Sequence, residues 1–300
     1  MATATLQQSS IALDVSNGEV KAPSRRDVSG IFHYLDRSIS EQTLNEKTNI
    51  ATPNTYGAFD EAVACIVEDV TGRESQFTLE KHGFEYRKHP TQLRLDDWED
   101  QDKVRAVYYP ETVEIIKKAT GASLVRMFNH LTRISHGIDP QPMASKAQRH
   151  HQAYRTHVDQ DYAQVEKHIR TNFSAEEAER LMKKRFQIIN VWRPIETIYK
   201  DPLAIADINS ISPDDFVTIN ITLPDGRQAS NLAVRSNSNH RWYYKYAQKP
   251  DEVLVFKQFD NSKAVVCSGQ IPHTSFIDLA EEGSYPRRSV EARALAFYED

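Results

Sequence analysis

Apolar and polar positions divide the chain into a featureless start, a helical middle and a strand-rich end. Residues 1–30 are polar and Ser-rich, with no period of two or of 3.6, and are expected to form a flexible tail. The apolar run Ala62-Val63-Ala64-Cys65-Ile66-Val67 closes at Thr71-Gly72-Arg73. With Gln76-Phe77-Thr78-Leu79 it predicts a hairpin. Residues 86–105 are charged and irregular. Pro110-Glu111-Thr112 opens a helix through Ala119, because Pro and an acid suit a first turn, and Gly121 stops it. Residues 122–133 read as a strand and residues 140–151 as a polar, basic loop. Ser174-Ala175-Glu176-Glu177 has capping-box spacing, so a second helix is expected to about Lys184.

The run 186–192 is almost wholly apolar, the pattern of a strand buried on both faces, and Arg193-Pro194 ends it. Further strands are expected at 216–223, closed by Pro224-Asp225-Gly226, and at 240–246, 253–259, 264–267 and 289–298. Short strands with turns between them, and helices mainly in the first two-thirds, predict an α+β chain with a mainly β core. The expected architecture is a β-sandwich or jelly roll braced by helices, in one domain over residues 31–300. No internal repeat is present.

Composition narrows the function. Hydrophobic residues at 39 % and charged residues at 26 % are an ordinary globular balance. The net charge is −5 without a block of like charges, so no nucleic-acid partner is expected. No run approaches the roughly 20 apolar residues of a membrane span, and the N-terminus lacks the basic and apolar regions of a secretory signal. Cys65 and Cys267 make no disulfide framework and fit a reducing compartment, so a cytoplasmic location is expected. Both lie in apolar runs and read as small buried hydrophobes. The expected partner is a small-molecule substrate. The oligomeric state is open, a homo-oligomer included.

Eleven histidines are present, and a single His is more often structural than a ligand. His82 and His89 carry no partner signal, and His150 and His151 sit in the basic loop. His157 differs because Asp159 lies two residues on, and in an extended segment both side chains point to one side. A third, distant His would complete the two-His, one-carboxylate facial triad, which fixes Fe(II) and leaves positions open for O2 and an organic acid. Asp161 is not needed by that set. His273, in Pro272-His273-Thr274, and His240, in Asn239-His240-Arg241-Trp242, compete for the third place. His273 is preferred because Arg287-Arg288-Ser289 follows it closely and opens a strand. Alternation there puts Arg287, Ser289, Glu291 and Arg293 on one face. Two guanidinium forks and a hydroxyl suit a dicarboxylate such as 2-oxoglutarate. The plainer reading is an edge strand with a solvated charged face, in which Glu291 pairs with an Arg.

Five segments carry a family resemblance. They are Thr120-Gly121-Ala122, Gln187-Ile188-Ile189-Asn190-Val191-Trp192-Arg193-Pro194-Ile195, and Glu252-Val253-Leu254-Val255-Phe256-Lys257-Gln258-Phe259-Asp260. Pro272-His273-Thr274-Ser275-Phe276 and Arg287-Arg288-Ser289-Val290-Glu291-Ala292-Arg293-Ala294-Leu295 complete the set. From about residue 60 onward the chain resembles the oxygenase group that includes the aspergillic-acid hydroxylase, the fungal gibberellin desaturases and the cephem 7α-methoxylase component. The resemblance implies a double-stranded β-helix enzyme using Fe(II), 2-oxoglutarate and O2. It implies hydroxylation or desaturation of an unactivated carbon in specialised metabolism, and favours His273 as third ligand. The expected metal ligands are therefore His157, Asp159 and His273, with Arg287, Ser289 and Arg293 on the cosubstrate. Asn190 and Arg193 are candidates to reach cofactor or substrate, with a structural role the plainer reading. Trp242, Tyr243 and Tyr244 read as a pocket wall or, more plainly, as core. An iron oxidase that uses no 2-oxoglutarate, and a cupin-like binding module, remain the alternatives.

Overall fold

The computed structural model describes residues 25–40, 59–134, 153–222, 228–262 and 264–298. Two sheets face each other. The larger runs, in spatial order, β1 (Val28–Leu35), β2 (Asp60–Asp69), β10 (Trp242–Tyr244), β7 (Leu203–Ala206), β12 (His273–Ser275), β5 (His157–Val158), β9 (Gln228–Val234) and β8 (Phe216–Thr222). The smaller runs β3 (Phe84–Lys88), β11 (Glu252–Asp260), β6 (Phe186–Pro194), β13 (Ser289–Phe297) and β4 (Leu124–Arg133). Sequence neighbours are seldom sheet neighbours. This is the expected jelly roll, a mainly β core braced by helices.

β6 is buried at all nine positions, which explains its unbroken apolar run. Its outward Ile189 and Val191, with Val253, Val255, Ala294 and Ala296, pack against Ile115 and Ile116 of helix α1 (Tyr109–Thr120). At one end of the inward face, Ile188, Phe259 and Leu295 meet Val165 and Ile169 of α2 (Tyr162–Asn172) and Leu181 of α3 (Ala175–Met182). Between the sheets, Trp192, Leu254 and Phe256 meet Ile205, Tyr243 and Ile271.

Local signals place these helices. α1 has Pro in its first turn and ends at Gly121 in the left-handed region, at φ 73°. Ser174 and Glu177 form the expected capping box of α3. Asp161 accepts the Gln164 N–H as N-cap of α2, a helix that its modest apolar stripe did not announce.

Several expectations are corrected. β2 forms no hairpin with residues 76–79, because it pairs antiparallel with β1 and parallel with β10. Glu74–Gln76 is instead a 3-10 turn, and Phe77 drops into the core beside Phe84 and Tyr243. β1 begins at Val28, inside the polar segment expected to be tail, with Phe32 and Tyr34 buried. Part of the charged stretch 86–105 belongs to β3, and the π-helical turn Val104–Tyr108 feeds α1. Residues 264–267 form no strand. A 3-10 turn covers Val266–Gly269, with positive φ at Cys267 and Ser268. Cys65 and Cys267 are half-buried rather than fully enclosed. The expected loop at 140–151 and the turn Pro224-Asp225-Gly226 lie outside the described residues.

Tyr243 belongs to the core between the sheets, and Trp242 and Tyr244 to the core beneath β1. All three follow the plainer reading. Trp242 Nε1 donates to Tyr34 Oη at 2.8 Å, and its ring meets Phe32 edge-on at 4.7 Å. Trp242→Ala is therefore expected to cost about 3–5 kcal/mol. A fall in the urea midpoint at unchanged m-value measures it. A loss below about 1 kcal/mol would mean that β1 closes over the gap.

Candidate metal centre

β12 and β5 pair antiparallel, with His273 directly opposite His157. Directly opposed residues project to the same face of a sheet, so two histidines far apart in sequence are brought ring to ring, centroids 4.5 Å apart. Asp159 follows just beyond β5. Its Oδ1 lies 3.6 Å from His157 Nε2 and 4.0 Å from His273 Nε2. One ligand atom from each residue falls within 4.8 Å of the others, the one such group among the described residues.

Backbone carbonyls orient both rings. His157 Nδ1 lies 2.7 Å from the Arg155 carbonyl, and His273 Nδ1 lies 3.4 Å from that of Ile271. A carbonyl only accepts, so each Nδ1 donates to it and each Nε2 is the ring nitrogen left to face the site. Burial first, and His157 second, push the His273 pKa down to about 3, so its ring is neutral as a ligand must be. Burial would raise Asp159, but the charge of Arg293 outweighs it and holds the carboxyl well below its usual range. Two imidazoles and one carboxylate are a donor set that fits ferrous iron.

The backbone at Asp159 is fixed from the opposite sheet. Gln258 is fully buried and accepts the Asp159 N–H at 2.8 Å. Its Nε2 donates to the Lys257 and Ile271 carbonyls at 3.0 and 2.9 Å. Thus one side chain ties the His157/Asp159 segment to the chain leading into His273. The sequence reading missed Gln258. Its signal was a polar residue at period two behind the inward-facing Leu254 and Phe256. Gln258→Leu, close in volume, leaves several buried backbone groups unmatched, each worth roughly 1–3 kcal/mol. A lowered unfolding midpoint of metal-free protein is expected, and an unchanged one would deny Gln258 this role.

Arg287 lies just ahead of β13, buried, with its guanidinium 5.5 Å above the Trp192 ring. Its Nη1 donates to the Asp201 carbonyl at 2.7 Å and to Ser275 Oγ at 2.8 Å. Burial, with the neighbouring Arg133 second, pulls this guanidinium below its ordinary pKa. Ser275 is two residues past His273, about 6.6 Å along the strand. That separation matches a short dicarboxylate reaching from the histidines to Arg287. Ser289 Oγ is buried and has no hydrogen-bond partner in the structure, so the hydroxyl is available to an incoming acceptor. Arg287 and Ser289 thus fit a cosubstrate carboxylate.

Arg293 shares the inward face of β13, but its guanidinium is engaged otherwise. Nε lies 2.9 Å from Asp159 Oδ2 and 2.8 Å from Glu291 Oε1. Asn190 Nδ2 donates to the same two carboxylates, at 2.8 and 3.2 Å. Asn190 therefore reaches the metal-side carboxylate, and Glu291 pairs with an Arg as expected. Arg193 follows its plainer reading and donates to the His89 and Pro250 carbonyls at 2.6 and 2.7 Å. His240 stands apart from the triad, with Nε2 3.1 Å from Asp215 and Nδ1 3.1 Å from Tyr34 Oη.

A family model described as an oxidoreductase/YMDC permease-like domain matches residues 32–297. Among the described residues no helix is long and apolar enough to cross a membrane. The alpha-ketoglutarate-dependent dioxygenase phiK of a fungal species is 34 % identical over 229 residues, covering 75 % of this chain and 81 % of its own. The hydroxylase/desaturase efuI of Hormonema carpetanum is 33 % identical over 252 residues, covering 78 % of this chain and 83 % of its own. Among solved structures, the iron and alpha-ketoglutarate-dependent endoperoxidase NvfI superposes with a TM-score of 0.77 at 23 % identity. That match covers 92 % of this chain and 100 % of the other. With the family model spanning nearly the whole described chain and relatives above 30 % identity over three-quarters of it, the chain belongs to the family of iron- and 2-oxoglutarate-dependent dioxygenases, hydroxylases and desaturases.

Proposed function

We propose that His157, Asp159 and His273 hold Fe(II), and that Arg287 with Ser289 grips the distal carboxylate of 2-oxoglutarate. On this reading the enzyme hydroxylates or desaturates an unactivated carbon of a small-molecule intermediate in specialised biosynthesis. The observation that supports it most is the pairing of His273 opposite His157, with Asp159 Oδ1 3.6 and 4.0 Å from the two Nε2 atoms. Ferrous iron with 2-oxoglutarate and O2 supplies the oxidising power for C–H cleavage. The residues bind and orient. Backbone carbonyls at each Nδ1 aim the two Nε2 atoms at the ion, Asp159 adds the anionic donor, and Arg287 offers a fork to the distal carboxylate. Trp192 and Phe256 are buried beside the site, and Phe256 meets the His273 ring edge-on at 5.1 Å, which keeps water from that side.

The organisation expected from the sequence belongs to the same proposal: a tail, then one jelly-roll domain over residues 31–300, here extended back to Val28 to include the start of β1. A cytoplasmic location does too, supported by Cys65 and Cys267 both being free thiols. The test is anaerobic titration with Fe(II) and 2-oxoglutarate, followed by exposure to O2. A weak visible charge-transfer band and succinate formed in step with oxidised substrate are expected. Substrate oxidation without succinate would instead indicate a cosubstrate-independent oxidase. Absence of both the band and turnover would leave a binding module.

A further inference from the structure

We propose that Arg293, braced by Glu291 and assisted by Asn190, is a positioning residue that occupies Asp159 Oδ2 and so limits that carboxylate to one metal contact through Oδ1. The proposal rests on the metal-site reading above. A carboxylate with both oxygens open can chelate an ion with both and use up an extra position. In a six-coordinate ion, three protein contacts leave three positions, enough for a chelating 2-oxo acid and O2. A fourth protein contact would leave two, and O2 would have to compete.

The structure supplies the device. Asp159 Oδ2 receives Asn190 Nδ2 at 2.8 Å and Arg293 Nε at 2.9 Å, both on one oxygen. The other oxygen, Oδ1, faces the two histidines. Charge-assisted bonds of this kind are among the stronger ones, so Oδ2 is held before any ion arrives. The placement follows from register. Arg293 sits opposite Asn190 across β13 and β6, and Glu291 lies two residues earlier on the same face. Arg293 Nη2 meets Glu291 Oε1 at 2.6 Å. The same contacts commit Arg293 to Asp159 rather than to the cosubstrate.

The test is binding of Co(II), a spectroscopic stand-in for Fe(II), to metal-free protein without 2-oxoglutarate. Arg293→Met is expected to change the shape of the visible Co(II) spectrum, because Oδ2 is freed to make a second contact with the ion. General loosening of the fold without a new donor would not produce that change. Arg293→Lys, which keeps a cationic donor, should recover the wild-type spectrum. Asn190→Ala should shift the spectrum less, in the same direction. If Arg293→Met fails to fold because Glu291 is left buried without its partner, Arg293→Met with Glu291→Gln removes that carboxyl and should still show the altered spectrum. A wild-type Co(II) spectrum in Arg293→Met, with a raised need for 2-oxoglutarate, would overturn the proposal and make Arg293 a cosubstrate anchor. His157→Ala serves as control. Co(II) binding that survives it would undo the metal-site reading itself, a separate result.

Discussion

His157→Ala protein is expected to release no succinate above background while unfolding near the wild-type midpoint. Two properties of the site make this the cleaner of the ligand deletions. His157 is partly exposed, and its one backbone partner, the Arg155 carbonyl, can take water in its place. No buried charge is left behind. Asp159→Ala should also abolish turnover, but it strips Arg293 of one of two carboxylates in a buried cluster. Breaking such a pair costs roughly 3–5 kcal/mol. Loss of activity there would mix a missing ligand with a weakened fold. Succinate production by folded His157→Ala at the wild-type rate would remove His157 from the metal.

Arg287→Met is expected to raise the apparent KM for 2-oxoglutarate far more than it lowers kcat at saturation. Removing one partner of a buried, hydrogen-bonded charge pair costs about 2–5 kcal/mol. At a factor of ten per 1.4 kcal/mol, that is a rise of roughly 30- to 4000-fold. Met preserves the packing on Trp192, so the stability loss should be smaller than for Ala. Arg287→Lys should recover only part of the affinity, because an ammonium cannot present the planar fork. If 2-oxoglutarate dependence stays normal and only substrate affinity suffers, another cation holds the cosubstrate.

These two expectations rest on features that differ in how far the sequence discloses them. The His157/Asp159 pair is local. Spacing of two in an extended segment aims both side chains one way, whatever the rest of the chain does. The inward face of β13 is equally local, since alternation alone puts Arg287, Ser289, Glu291 and Arg293 together. The apolar run of β6, the Pro and Gly that bound α1, and the capping box of α3 are read from a few neighbouring residues. Several of the failures concern what a segment pairs with. β2 has a plausible local partner in residues 76–79, yet it takes β1 and β10. Residues 264–267 have strand-like side chains but lie in a turn with positive φ at Cys267. β5 is two residues long and exists because β12 and β9 flank it.

The sequence by itself therefore determined the chemistry on offer: a His-x-Asp pair, a cationic strand, a mainly β core and a resemblance to one oxygenase group. Tertiary structure alone decided which groups meet. Cross-strand register put His273, not His240, opposite His157. Two-sheet packing turned Gln258 onto the Asp159 backbone. It also delivered Asp159 to Arg293, which the strand pattern had assigned to the cosubstrate. The physical reason is that alternation fixes the face a side chain occupies, while the partner waiting on that face comes from a strand distant in sequence, and burial makes that partner's charge decisive.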